Sequence, residues 1–302
     1  MGIFRKSVTL ERGLRGEFMK AKELDVNPIL DKLMMKVPST NTTEKYAWLG
    51  RLNKMKEWVD TKQVESVIDK SYSLENLAFE NTFGVDKFDI LNDNVNGAYT
   101  RIRDLATQAK EFPQILMIDR LIENGICYDG QNFLDTDHSE GDSGAQVNTA
   151  SGAGVAIANI VTDFRAARAR MRALKDSKGN PIWRTAHGLN LVVLCPTALE
   201  GVFEELLNAA YISQTENVLK GAADLVVLPA LDANDANDWY LCAYTNSGLA
   251  PFILQENQPA KFVAQEEESE GGFFHRTYHY GCEWYGNVGY GMWQMIQRIV
   301  NT

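Results

Sequence analysis

The chain has 302 residues, 45% of them hydrophobic and 23% charged, and a net charge of −10. That balance belongs to a globular protein with room for one large or two ordinary cored domains, and it excludes a disordered chain. It also lacks the cationic footprint of a protein whose main surface tracks nucleic acid, although a local basic face is still allowed.

No apolar run approaches the roughly 20 residues of a membrane helix, so no membrane partner is expected. The N-terminal MGIFRKS leads into no apolar stretch of the kind a signal peptide needs. Cys127, Cys195, Cys242 and Cys282 form no CxxC pair. Buried free thiols in a reducing cytoplasm fit them better than a zinc cluster or a disulfide framework.

In chain order, residues 1–40 mix charged side chains with Leu24, Ile29, Leu30, Leu33 and Met34, which predicts an arm with a short amphipathic helix stopped near Pro38. Residues 39–71 are polar and lysine-rich, yet carry Tyr46, Trp48, Leu49, Met55 and Trp58. Such a stretch is too polar to form a core alone, and exposed tryptophans need a cover. Length and polarity leave two readings open: a loop folded back on its own domain, or an arm packed on a neighbouring subunit.

Leu77, Phe79, Phe83 and Val85 alternate with polar or small residues, a strand with one buried face. Asn92 or Asp93 then opens a long helix carrying Val95, Ala98, Tyr99, Ile102, Leu105, Ala106, Ala109 and Phe112. Pro113 should kink or restart it, and Gly125 suits its C-terminal cap. A second helix covers about 155–175, with Ile157, Val161, Phe164, Met171 and Leu174 on its apolar stripe and Arg165, Arg168, Arg172 and Lys175 on another face. The basic face is read either as solvated or as a contact with phosphate or a subunit.

Beyond residue 186, LNLVVLCP, DLVVLPAL and WYLCAYT read as strands, ALEGVFEELLNAAY as a helix, and PFILQE and KFVAQ as two shorter strands. FFHRTYHYGCEWYGNVGYGMWQMI reads as a terminal strand pair. Strands and helices without regular alternation indicate an α+β fold.

The stretch 127–144, CYDGQNFLDTDHSEGDSG, spells the surroundings of a serine nucleophile at Ser143. Ala145 stands where both protease and hydrolase patterns need a further glycine, and no apolar strand leads into a nucleophile elbow. A serine hydrolase using Ser143 is the alternative to a structural protein. Read as a calcium loop, the same stretch has Glu140 in place of the glycine and Gln146 in place of the bidentate glutamate. His275 and His279 have zincin spacing, but Arg276 replaces the glutamate, and on a strand they lie about 13 Å apart. No cofactor, metal or catalytic residue is expected.

Three segments in order resemble the Mu-like prophage major head subunit family, the major capsid proteins of Mu-type phages. They are Trp48-Leu49-Gly50-Arg51-Leu52 with Met55-Lys56-Glu57-Trp58; Cys127-Tyr128-Asp129-Gly130 with Phe133, Asp135, Asp137 and His138; and the run from Pro251-Phe252-Ile253-Leu254-Gln255 to Tyr290-Gly291-Met292-Trp293-Gln294. Departures are Asp60-Thr61-Lys62 after Trp58, a less acidic helix entry at Leu91-Asn92-Asp93-Asn94, and Leu134 in place of a second phenylalanine.

The resemblance implies the Hong Kong 97-type capsid fold, with an N-terminal arm at 1–40, an E-loop hairpin at 41–76, and a peripheral domain at 77–186 with spine helix 92–124. An axial domain at 187–264 and C-terminal strands at 265–302, returning to the peripheral and axial core, complete it. It implies that Tyr46, Trp48, Leu49, Met55 and Trp58 contact an adjacent subunit. The implied function is a shell of hexamers and pentamers, formed in the host cytoplasm, that becomes the virion capsid. The implied partners are further copies of the chain, a separate scaffolding protein (some 40 residues before the E-loop being too few for a fused one), a portal and packaged double-stranded DNA. Arg165, Arg168, Arg172 and Lys175 would face that DNA or a neighbouring subunit.

Overall fold

A computed structural model describes residues 2–23, 27–46, 72–92, 94–183, 189–212, 214–265 and 276–301. The chain opens with α1 (Gly2–Glu23), α2 (Pro28–Lys32) and β1 (Met34–Pro38). The expected short helix near residues 24–34 is α2, and it is preceded by a helix of 22 residues. Leu10, Leu14, Phe18 and Ala21 recur at steps of four, four and three, forming one buried stripe along α1. Asn27 caps α2, its side-chain oxygen accepting from Ile29 N and Leu30 N.

Next come β2 (Thr43–Tyr46), β3 (Tyr72–Glu75), β4 (Leu77–Asp86), α3 (Lys87–Leu91) and α4 (Asn96–Glu123). Helix α4 is the expected spine, beginning at 96 rather than 92, and it runs on through Pro113. Proline removes one backbone bond, to the carbonyl of Ala109. The apolar stripe through Met117 and Leu121, both buried, carries the helix past that gap. Its end also differs from expectation. Asn124 adopts the left-handed conformation (φ 49°), while Gly125 lies where a Cβ would come within 3.0 Å of the Tyr290 ring.

The remaining elements are β5 (Thr149–Ser151), α5 (Ile157–Ala173), β6 (Leu189–Cys195), α6 (Glu200–Asn208), β7 (Tyr211–Ile212), β8 (Thr215–Glu216), β9 (Asp224–Val227), β10 (Trp239–Thr245), β11 (Phe252–Gln265), β12 (Thr277–Tyr290) and β13 (Ile296–Val300). Two main sheets result, in the orders β1-β11-β12-β4 and β5-β13-β10-β6-β9. PFILQE and KFVAQ, expected as separate strands, form the single strand β11, with register shifts between Glu256 and Lys261 where it pairs with β12.

In the first sheet, Trp284 of β12 stacks on Phe79 of β4 at 5.5 Å and meets Phe112 of α4 edge-on at 5.7 Å. Helix α1 lies beside α4, with Glu17 accepting from Arg103 Nε at 2.8 Å. In the second sheet, Phe164, Ala167 and Met171 of α5 and Phe203 and Leu206 of α6 pack against Val193, Trp239, Leu241 and Ile299. Each such large apolar side chain contributes about 1.5–3 kcal/mol. The opposite face of that sheet, with Val192, Leu194, Tyr240 and Cys242, belongs to the core shared with the first sheet. Burial on both faces is why LVVLC reads as a continuous apolar run.

The expected grouping of residues does not follow the sheets. Helix α5, placed with 77–186, packs on the second sheet, and β11, placed with 187–264, belongs to the first; the strands of 265–302 divide, β12 into the first sheet and β13 into the second. Strand pairing across long connections set these assignments, and composition does not encode it. All four cysteines are free and buried. Burial pushes the Cys195 thiol up to about 12. Among the described residues, no helix is long and apolar enough to cross a membrane.

Candidate assembly surfaces

Strands β2 and β3, which flank the polar stretch in sequence, pair antiparallel with Tyr46 opposite Tyr72. Tyr46 is buried, and its hydroxyl donates to Gln255 Oε1 at 2.6 Å. Gln255 Nε2 in turn donates to the Leu74 carbonyl at 3.2 Å. Burial, with the nearby Glu44 carboxylate second, pushes the Tyr46 hydroxyl well above its usual range.

Tyr46, expected at a subunit interface, is therefore committed to its own core, where it pins the hairpin base. Glu44 locks the turn before it, accepting from Thr40 N at 3.1 Å, Ser39 Oγ at 3.0 Å and Asn41 N at 3.2 Å. Those bonds, Thr40's first, hold its carboxyl below the usual carboxylate range. The other arm candidates, Trp48, Leu49, Met55 and Trp58, lie outside the described residues.

The loop after α4 is built inward. Phe133 is fully buried, stacked on Tyr290 at 4.8 Å and tilted against Phe252 at 5.2 Å. His138 Nδ1 lies 2.7 Å from Asp129 Oδ2, with both side chains fully buried. Tyr128 donates its hydroxyl to Glu140 Oε1 and accepts from Gln294 Nε2 at 2.6 Å. Burial and the adjacent Glu140 charge raise the Tyr128 hydroxyl well above its usual range.

Ser143 is 5% exposed; its hydroxyl donates to the Gly144 carbonyl at 2.9 Å and accepts from Glu140 N at 3.0 Å. It closes a one-turn helix, with Gly141 in the left-handed region (φ 53°) and a Cβ there only 2.4 Å from the Ser177 carbonyl. The letters GDSG are thus spelled by turn geometry. Among the described residues the hydroxyl bonds no imidazole, and His138 serves Asp129 instead, so this geometry gives the serine-hydrolase alternative no support. Of the loop carboxylates singled out ahead of Ser143, Asp135 is used locally, accepting from Thr136 N at 2.6 Å. Asp129, nine residues before His138, is the partner that sequence spacing did not single out.

On α5, Arg165 and Arg172 are exposed and Arg168 half-buried, its guanidinium 6.0 Å from the Phe164 ring. Partial burial, then the charges of Arg172 and Arg165, push the Arg168 guanidinium down. These three cations therefore form one cluster, as helical spacing predicted. Lys175 lies just past the helix end, exposed, with its backbone held by Gln146. Among the described residues, none of the four has an ion-pair partner. The glycine-rich entry to α5 offers no anion site: Ala153 N donates to Asp163 Oδ2 at 2.8 Å and Gly154 N to Asn301 Oδ1 at 3.2 Å.

A family model described as the Mu-like prophage major head subunit gpT matches residues 8–163 and 230–301. The chain belongs to that family. Among gpT-type head subunits, it is 26% identical to the "Mu-like prophage FluMu major head subunit" of Haemophilus influenzae over 266 residues, covering 87% of this chain and 63% of the relative. It is 33% identical to the "Major capsid protein" of Escherichia phage Mu over 129 residues, 40% of this chain and 42% of that one. The chain thus spans less than two thirds of the length of either relative. A subunit of the bacteriophage JBD30 procapsid superposes with a TM-score of 0.58 at 22% identity, over 96% of this chain and 73% of that chain. That likeness shows the fold, which is the Hong Kong 97 type of α+β capsid subunit.

Proposed function

We propose that the chain is the repeating subunit of a Mu-like phage or prophage head, assembling as hexamers and pentamers into an icosahedral shell around double-stranded DNA. The family match across both ends of the chain carries this reading, since it joins the arm, the spine helix and the last strands in one architecture. On it, the first sheet with α4 is the peripheral domain, the second sheet with α5 and α6 the axial domain, and 41–76 the E-loop. Scaffolding and portal proteins are the further partners, and the virion capsid is its destination.

Assembly then follows from repetition. Each copy makes the same modest contacts with several neighbours, and closed rings sum them. Trp48, Leu49, Met55 and Trp58 would supply the apolar part of those contacts from an arm whose base is fastened by Tyr46. Negative-stain microscopy of the full chain, alone and co-expressed with its scaffold, tests the reading. Rings or shells are expected; protein that stays dispersed in both preparations would overturn it.

A further inference from the structure

We propose that Arg165, Arg168 and Arg172 on α5 of one copy pair with Glu200, Glu204 and Glu205 on α6 of the next, joining copies head to tail in a ring. This rests on the shell-subunit reading and adds the surface and the polarity of the contact. Glu200, Glu204 and Glu205 are all exposed on the short acidic helix. Among the described residues none of these six side chains has an ion-pair partner, although α5 and α6 pack in one layer over the same core. The chain places opposite charges on adjacent helices, and among the described residues nothing neutralises either set.

The two patches are also displaced across the sheet. Helix α5 packs over β13 and β10, whereas α6 packs over the edge strand β9. Two different, complementary patches on one subunit make a heterologous contact, the kind that closes rings when the rotation between copies divides a full turn. Net charge supports the choice of partner. Copies carrying −10 each repel one another over most of their surface, so a basic cluster is where a second copy can approach with attraction. DNA on the same arginines would leave the α6 carboxylates unanswered, while a ring of copies satisfies both patches at once.

The test is a charge swap in the full chain, read by sedimentation velocity and negative-stain microscopy. One variant carries Arg165→Glu, Arg168→Glu and Arg172→Glu; a second carries Glu200→Arg, Glu204→Arg and Glu205→Arg; a third carries all six. The first two should each lower the assembled fraction by roughly tenfold or more, and the third should restore it. Mixing the two single-patch variants should restore even-membered rings, in which the two kinds of copy can alternate, but not five-membered rings or closed shells.

Far-UV circular dichroism and thermal melts check that each variant folds. For any that does not, the glutamine replacements at the same three positions take its place and should weaken assembly in the same direction. If wild type assembles and both single-patch variants assemble equally well, the pairing is overturned and the shell reading stands. The same holds if the six-fold swap fails to rescue. If the arginine variant assembles normally but loses salt-sensitive binding to a fluorescent DNA duplex, the basic face belongs to nucleic acid and the proposal is overturned. A wild type that never assembles overturns the shell reading itself.

Discussion

The imidazole of His138 lies flat against the indole of Trp293, with ring centroids 4.0 Å apart and planes 5° from parallel. One residue further on, Gln294 donates to Tyr128, so the 127–148 loop and the segment before β13 are fastened at two adjacent points. The Tyr-Asp-Gly…His segment and the C-terminal Met-Trp-Gln segment, separate in sequence, are two halves of one buried joint. Trp293→Ala should therefore destabilise the folded subunit by about 3–5 kcal/mol, the range for removing a fully buried large side chain. Urea unfolding of the dispersed subunit checks this, and an unchanged midpoint would show that the joint carries no weight.

Ser143→Ala should cost about 0.5–2 kcal/mol, as the loss of a capping hydroxyl does. Neither the wild type nor the variant should react with a fluorophosphonate probe, since the hydroxyl is buried and bonded within its own turn. Labelling of the wild type that the variant abolishes would restore a catalytic role.

Acid should loosen the hairpin base. The bonds from Thr40, Ser39 and Asn41 depress the Glu44 carboxyl in the folded state. Their contribution is present above the unfolded carboxyl's pKa of about 4.3 and is lost as pH falls through the lower folded value. A Glu44→Gln variant should have a shallower decline in melting temperature below that pH than the wild type. Parallel curves would mean that other carboxylates set the acid limit.

Tyr46 and the two arm tryptophans should separate cleanly by phenotype. Tyr46→Phe leaves the buried Gln255 oxygen without its donor, which costs about 1–3 kcal/mol of subunit stability. Trp48→Ala and Trp58→Ala should leave the melting temperature of the dispersed subunit nearly unchanged while lowering the yield of shells. Melting curves beside microscopy counts distinguish the two. Equal loss of stability in all three variants would place the indoles in their own subunit's core.

Much of this fold is legible in the sequence wherever one element repeats a period for long enough. Helix α4 announces itself through Ala98, Ile102, Leu105 and Ala106, and β4 through the alternation of Phe79, Phe83 and Val85. Helix α1 was legible too, from Leu10, Leu14, Phe18 and Ala21, but its high charge hid four apolar residues spread over twelve. What periodicity does not carry is partnership. Nothing local says that β1 pairs in parallel with β11, or that β12 and β13, adjacent in sequence, serve different sheets. The same limit applies to sites: the arginine cluster follows from helical spacing alone, whereas Tyr46 stands in sequence as a subunit-interface candidate because its partner Gln255 lies 209 residues away.

Sedimentation velocity of the full chain over a rising concentration series addresses the subunit's incompleteness most directly. A shell-forming subunit gives a slow boundary that yields, above a threshold concentration or on adding scaffold, to ring- and shell-sized species. A single slow boundary at every concentration, with or without scaffold, would contradict the account.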